Sequence, residues 1–159
     1  MESIISLMSE TAVEVLKKMA FLDVEHIRND EPISKAIENV HMCSMIMLDG
    51  TLKGSIVFHC SDKLAKQVTC ALLGEDMASD IADMDIKDAI GEVTNVIAGN
   101  VKNKISNLGH SFSLSSPKVL EWGEYVTEIK TKVRQGIMEF TSGKETFFIE
   151  LLASNGSHE

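Results

Sequence analysis

Along residues 4–20 the apolar positions Ile4, Met8, Ala12, Val15, Leu16 and Met19 recur at intervals of three and four, the signature of one buried helical face. Ser3 stands at its start as a candidate N-cap, and Asn29-Asp30-Glu31-Pro32 breaks the pattern further on. Residues 40–48 and 53–60 are apolar on both faces for much of their length and flank Leu48-Asp49-Gly50-Thr51. Asp-Gly between two apolar runs is a strong hairpin signal, and strands without a polar face belong in the middle of a sheet. Ser61-Asp62 then caps a helix that reaches Leu73 and is closed by Gly74. An acidic stretch over 75–85 leads into a long helix over 85–107, closed by Gly109. The remainder reads as strand: 111–115 before Pro117, then 126–141 and 145–153 joined by Ser142-Gly143-Lys144. Helix, hairpin, two helices and a run of strands, without regular strand–helix alternation, predict an α+β fold. The expected architecture is a mostly antiparallel sheet with long helices packed on it. A chain of 159 residues predicts one domain, spanning 1–153, with 154–159 as a disordered tail.

Composition narrows the function classes. With 44% hydrophobic and 25% charged residues the chain is an ordinary globular sequence. Its 15 basic and 24 acidic residues give a net charge of −9, which disfavours nucleic acid or an anionic membrane surface as partner. No apolar run approaches the roughly 18 residues a membrane span needs. The N-terminus has an acid at position 2 and polar residues inside its apolar stretch, unlike a signal peptide. Cys43, Cys60 and Cys70 form no CxxC pair and read as reduced thiols of a cytoplasmic protein.

The long helix carries the chemistry. At 100° per residue, Ile90, Val93, Ile97 and Val101 fall on one stripe, and Asp88, Glu92, Asn95, Gly99 and Lys102 lie diametrically opposite. An exposed helix face favours strong helix formers and paired charges, so Asn95 and Gly99 are costly choices there. Gly99 leaves a flat spot one turn beyond Asn95, where another backbone can approach closely. A carboxylate, a carboxamide and a gap make a small docking surface with two polar tips.

Other features read as structural. The acids of 75–88 complement the dipole at a helix N-terminus and lack the spacing of a calcium loop. His59-Cys60 and His41/Cys43, on the strands of one hairpin, read as buried residues rather than metal ligands. Lys130, Lys132 and Arg134 alternate along an expected strand as a solvated basic face. The nine methionines suit core filling. There is no Walker loop, no GxSxG and no HExxH.

Taken with its flanks, the helix resembles the CheC/CheX/FliY family of chemotaxis phosphatases. The resemblance rests on Asp88, Glu92, Asn95 and Pro117, with Leu72-Leu73-Gly74 upstream, Ile97-Ala98-Gly99-Asn100 after the asparagine, and Gly109 and Ser115-Ser116-Pro117 downstream. It covers residues 70–123, and a single copy of the motif is closest to CheX. The resemblance implies a phosphatase acting on the phosphoaspartate of a CheY-like receiver domain. Asn95 would position the attacking water and Glu92 would pair with the receiver's active-site lysine. Asp88, Gly99 and Lys102 would support the pair or contact the partner, and Pro117 would shape the fold beside the helix. No cofactor of the chain's own is implied, since the receiver supplies Mg²⁺; a homodimer is. The competing reading is a non-catalytic interaction or switch domain of the same fold, as in the FliM middle domain. A third is a sensor regulated by a phosphorylated receiver.

Overall fold

In the computed structural model, which describes residues 1–28, 40 and 42–155, the chain forms α1 (Glu2–Ala20), β1 (Glu25–Arg28), β2 (Met42–Gly50), β3 (Gly54–Cys60) and α2 (Asp62–Leu73). It continues through α3 (Asp83–Ser106), β4 (Phe112–Leu114), β5 (Lys118–Leu120), α4 (Trp122–Ile129), β6 (Lys132–Ser142) and β7 (Glu145–Ser154). The strands make one seven-stranded antiparallel sheet in the order β1-β6-β7-β3-β2-β4. β4 and β5 both pair with β2, the first through Leu48↔Leu114 and the second through Met45↔Lys118, so they lie along its outer side. This is the α+β architecture expected.

The sheet's period of two assigns its side chains to two layers. Ile46 and Leu48 of β2, Ile56 and Phe58 of β3, and Phe147, Ile149 and Leu151 of β7 face one core with α1, α2 and α3. Cys43, Met45, Val57 and Leu152 face the other side, where Tyr125, Val126 and Ile129 of α4 cover them. Both faces of β3 are therefore buried along its whole length, which accounts for its lack of a polar alternation. Gly54 sits where β3 crosses the Leu152 carbonyl with no room for a Cβ.

Local signals hold at several joints. The Ser61 hydroxyl accepts the Leu64 N–H at 3.1 Å, and Gly74 closes α2 in the left-handed region at φ 68°. Elsewhere the structure differs. Ser3 is not the cap of α1: the helix starts at Glu2, two residues earlier than that cap implies, and the Ile4 and Ile5 N–H groups bond to the Met1 carbonyl. α3 begins at Asp83, so Asp83 and Asp85 occupy its first turn, as acids at a positive dipole end should. The strand expected from 126 starts only at Lys132, because residues 122–129 form α4. The Glu121 N–H at the head of α4 donates to the Glu124 carboxylate at 3.1 Å, half of a capping box. Lys130 is accordingly the C-cap of a helix and not a member of a strand face. β7 reaches Ser154, whose N–H bonds to the Lys53 carbonyl at 3.0 Å. Asn29–Pro32, His41 and tail residues 156–159 lie outside the described residues.

Candidate functional site

α3 is 24 residues long, about 36 Å at 1.5 Å per residue, and its inner stripe lies against the sheet and the other two helices. Ile90, Val93, Ile97 and Val101 are buried, as the spacing predicts. On the opposite side Asp88, Glu92 and Asn95 are exposed, and Gly99 and Lys102 are half-buried. All five expected positions therefore share one open face. Glu92 and Asn95 stand three residues apart, which sets their Cβ atoms about 5–6 Å apart on the helix surface. A Cβ at Gly99 would meet nothing within 4 Å, so no packing demand accounts for glycine there.

Among the described residues Asp88, Glu92, Asn95 and Lys102 make no side-chain hydrogen bond or ion pair. Lys104, by contrast, is bound to Glu14 of α1 at 3.0 Å. Exposed helices commonly use their charges in i,i+4 pairs; this one leaves them facing outward.

One wall beside the pair comes from distant chain. β4 and β5 are separated by Ser115–Pro117, and Ser115 bridges the break: its N–H donates to the Met47 carbonyl at 3.0 Å and its hydroxyl accepts the Met47 N–H at 2.9 Å. Pro117, with no N–H to offer a ladder, falls at this interruption. It leans on α3 at Gly91, where an added Cβ would lie 3.4 Å from Pro117 Cγ. Gly91 and Pro117 thus meet directly beside Glu92, and with Asp88 and Val119 they line a shallow cleft. Pro117 shapes the fold beside the helix, as expected. Gly91 gives no signal in the sequence, because its role depends on Pro117, 26 residues away. Met84, 73% exposed and one turn before Asp88 on the same side, likewise has no sequence signal, because a lone apolar residue in an acidic segment is not periodic.

A second polar cluster lies on the other face of the sheet. Glu150 of β7 is fully buried, accepts the Tyr125 hydroxyl at 2.7 Å and the Arg134 Nε–H at 2.6 Å, and lies 3.2 Å from His59 Nε2. Burial by itself raises the Glu150 carboxyl pKa, but His59, Tyr125 and Arg134 together outweigh it and hold it below the ordinary carboxylate value. Burial and the neighbouring Glu150 charge push the Tyr125 hydroxyl well above its usual range. His59 is buried, as expected, but Arg134 is not a solvated strand charge: it folds over the sheet to the carboxylate. Burial raises the Cys43 and Cys60 thiols far above neutrality, so both stay protonated. No described helix is long and apolar enough to cross a membrane.

A single antiparallel sheet with three helices on one face is also the fold of solved CheX, CheC-like and FliY structures. Residues 42–141 match the family model for chemotaxis phosphatase CheX, and the chain belongs to that family. Among solved structures it is similar to a chemotaxis protein CheX from Desulfovibrio desulfuricans, with a TM-score of 0.73 and 23% identity over 94% of this chain and 97% of that one. It is equally similar to the CheX of a CheX–CheY–BeF3–Mg²⁺ complex from Borrelia burgdorferi, with a TM-score of 0.73 and 22% identity over 94% and 97%. FliM, solved in complex with SpeE from H. pylori, shares the fold at a TM-score of 0.67 and 9% identity over 96% and 85%. No curated protein matches the sequence.

Proposed function

We propose that this protein is a phosphatase that hydrolyses the phosphoaspartate of a CheY-like receiver domain. The observation that carries this reading is the pair Glu92 and Asn95: exposed, without a partner among the described residues, and on the open face of α3 in a member of the CheX family. An acyl phosphate is already activated, so the enzyme's work is to place a water in line with the phosphorus and hold it there. The Asn95 carboxamide can both donate to and accept from that water without depending on a protonation state. Attack by water forms a P–O bond and breaks the bond to the aspartyl oxygen, releasing inorganic phosphate and regenerating the carboxylate. Glu92 pairs with the receiver's active-site lysine and fixes the register of docking. Asp88, one turn away, supports Glu92 by adding a second negative charge towards the receiver's cationic side, and Gly99 leaves room for the receiver's loop. The receiver brings its own Mg²⁺, so the chain needs no ligand set of its own, and the working unit is a cytoplasmic homodimer. FliM, solved in complex with SpeE, shares this fold, so the fold by itself does not carry the activity and the exposed pair is what supports it.

The test is phosphate release from phosphorylated CheY of the same organism, with and without the protein. Acceleration by the wild type, lost in Asn95→Ala without a fall in melting temperature, is the expected result. Alanine at an exposed helix position removes no packing and favours the helix by a few tenths of a kcal/mol. A wild-type protein that leaves the rate unchanged would overturn the reading in favour of a non-catalytic binding domain.

A further inference from the structure

Charge is sorted along α3. Between its start and Glu92 stand Asp83, Asp85, Asp88 and Glu92 against the single base Lys87; beyond Asn95 there is no acid, only Lys102 and Lys104. The helix dipole favours this order only within the first and last turns. Glu92 lies well inside the helix, and of the two lysines only Lys104 belongs to the last turn. Lys104 is also the one bound internally, to Glu14. Lys102 is half-buried, makes no hydrogen bond or ion pair among the described residues, and projects within about 20° of Asn95. Seven residues separate the two, about 10 Å along the axis, a distance a flexible lysine stem can partly close. Dipole complementarity and internal pairing therefore account for Lys104 and leave Lys102 without a cause inside the molecule.

We propose that Lys102 is a docking contact for the anionic surface around the acyl phosphate of the partner receiver, and that the order of charge along α3 sets the direction in which the receiver lies. The inference rests on the phosphatase reading above. An acyl phosphate is anionic and must approach Asn95, so the protein surface around it meets whatever follows Asn95 on the helix. The partner's cationic side then falls over Asp88 and Glu92, and its anionic side over Lys102. A receiver turned end for end would set like charges against each other at both ends, which is costly in a desolvated contact. Lys102 touches neither the water nor the scissile bond in this arrangement; it is a specificity contact.

The experiment measures binding and turnover separately. Binding of CheY from the same organism, loaded with beryllofluoride and Mg²⁺, is titrated against wild type, Lys102→Glu, Lys102→Arg and Lys104→Glu. The two glutamate variants make the same change in net charge two residues apart. Lys102→Glu is expected to weaken binding roughly ten-fold at low salt, with the loss shrinking as ionic strength rises. Lys102→Arg should bind within about two-fold of wild type, since it keeps the charge. Lys104→Glu should lower the melting temperature slightly and leave binding near wild type. In phosphate release, Lys102→Glu should raise KM and leave kcat unchanged. Equal weakening by both glutamate variants, or none by Lys102→Glu, overturns the assignment. If wild type binds loaded CheY but releases no phosphate, the phosphatase reading fails while the Kd values still decide the role of Lys102. If wild type does not bind loaded CheY, both fail.

Discussion

Tyr125 of α4 donates its hydroxyl to the fully buried carboxylate of Glu150 on β7 across 2.7 Å, and this bond fastens the helix on the second face to the centre of the sheet. The phenol ring is 1% exposed and stands edge-on to His59 at a centroid separation of 4.8 Å. Two elements that share no hydrogen-bond ladder are thereby held in one register. Tyr125→Phe keeps the ring but removes one partner of a buried charge. Chemical denaturation should show a loss of about 1–3 kcal/mol. Phosphate release should be unchanged at temperatures where the variant stays folded, because α4 lies on the face opposite α3.

Glu150 also gives the protein a defined acid sensitivity. Its carboxyl pKa is lowered on folding, so the charged form is favoured in the native state and the stabilisation is complete above the unfolded-state value. It is lost as pH falls through the folded-state value. Glu150→Gln should destabilise the protein at pH 7 by about 3 kcal/mol, since Arg134 loses its counter-charge and the buried Tyr125 hydroxyl its charged acceptor. The stability gap between wild type and variant should then narrow steadily below pH 4.5, the ordinary value for this group. Denaturant titrations at pH 7, 5 and 3 measure it. A gap that stays constant across that range would show that Glu150 is not charged in the native protein.

For Glu92→Gln the expected effect is on the partner and not on the fold. The substitution preserves size and hydrogen bonding and removes the charge. If Glu92 pairs with a receiver lysine, affinity should drop by about 2 kcal/mol or more, as for other desolvated charge pairs. Its melting temperature should match wild type, because the side chain is exposed and unpartnered. An unaltered dissociation constant would rule the pairing out.

Gly99 separates stability from docking in opposite directions. A Cβ there meets nothing within 4 Å, so Gly99→Ala should raise stability by up to about 1 kcal/mol through helix propensity alone. Gly99→Leu places bulk where the receiver's loop is to approach. Thermal melts should show both variants at or above wild type, while phosphatase rates should fall, with leucine below alanine. A stable leucine variant with full activity would remove Gly99 from the docking surface.

What the amino-acid sequence determined is what neighbours along the chain can settle among themselves. The Ser61 cap, the left-handed Gly74, the β2–β3 hairpin and the two faces of α3 each depend on residues within a few positions and are legible, although Asp49 and Gly50 pair with β4 as strand residues and the chain reverses over 51–53. The candidate pair was legible for the same reason, since three-residue spacing on a helix fixes a shared face whatever the helix packs against. α4 was misread because Val126, Thr127 and Ile129 are β-branched, which favours strand locally, while burial of Tyr125 against Glu150 decides for helix. The purpose of Arg134 was hidden because its partner is 16 residues away on a strand whose register is set by pairing. Gly91 and Pro117, 26 residues apart, meet only because β5 pairs with β2 and returns the chain to α3. Tertiary structure alone decides such contacts: their energy is gained only after long loops close, so no short window of sequence carries them.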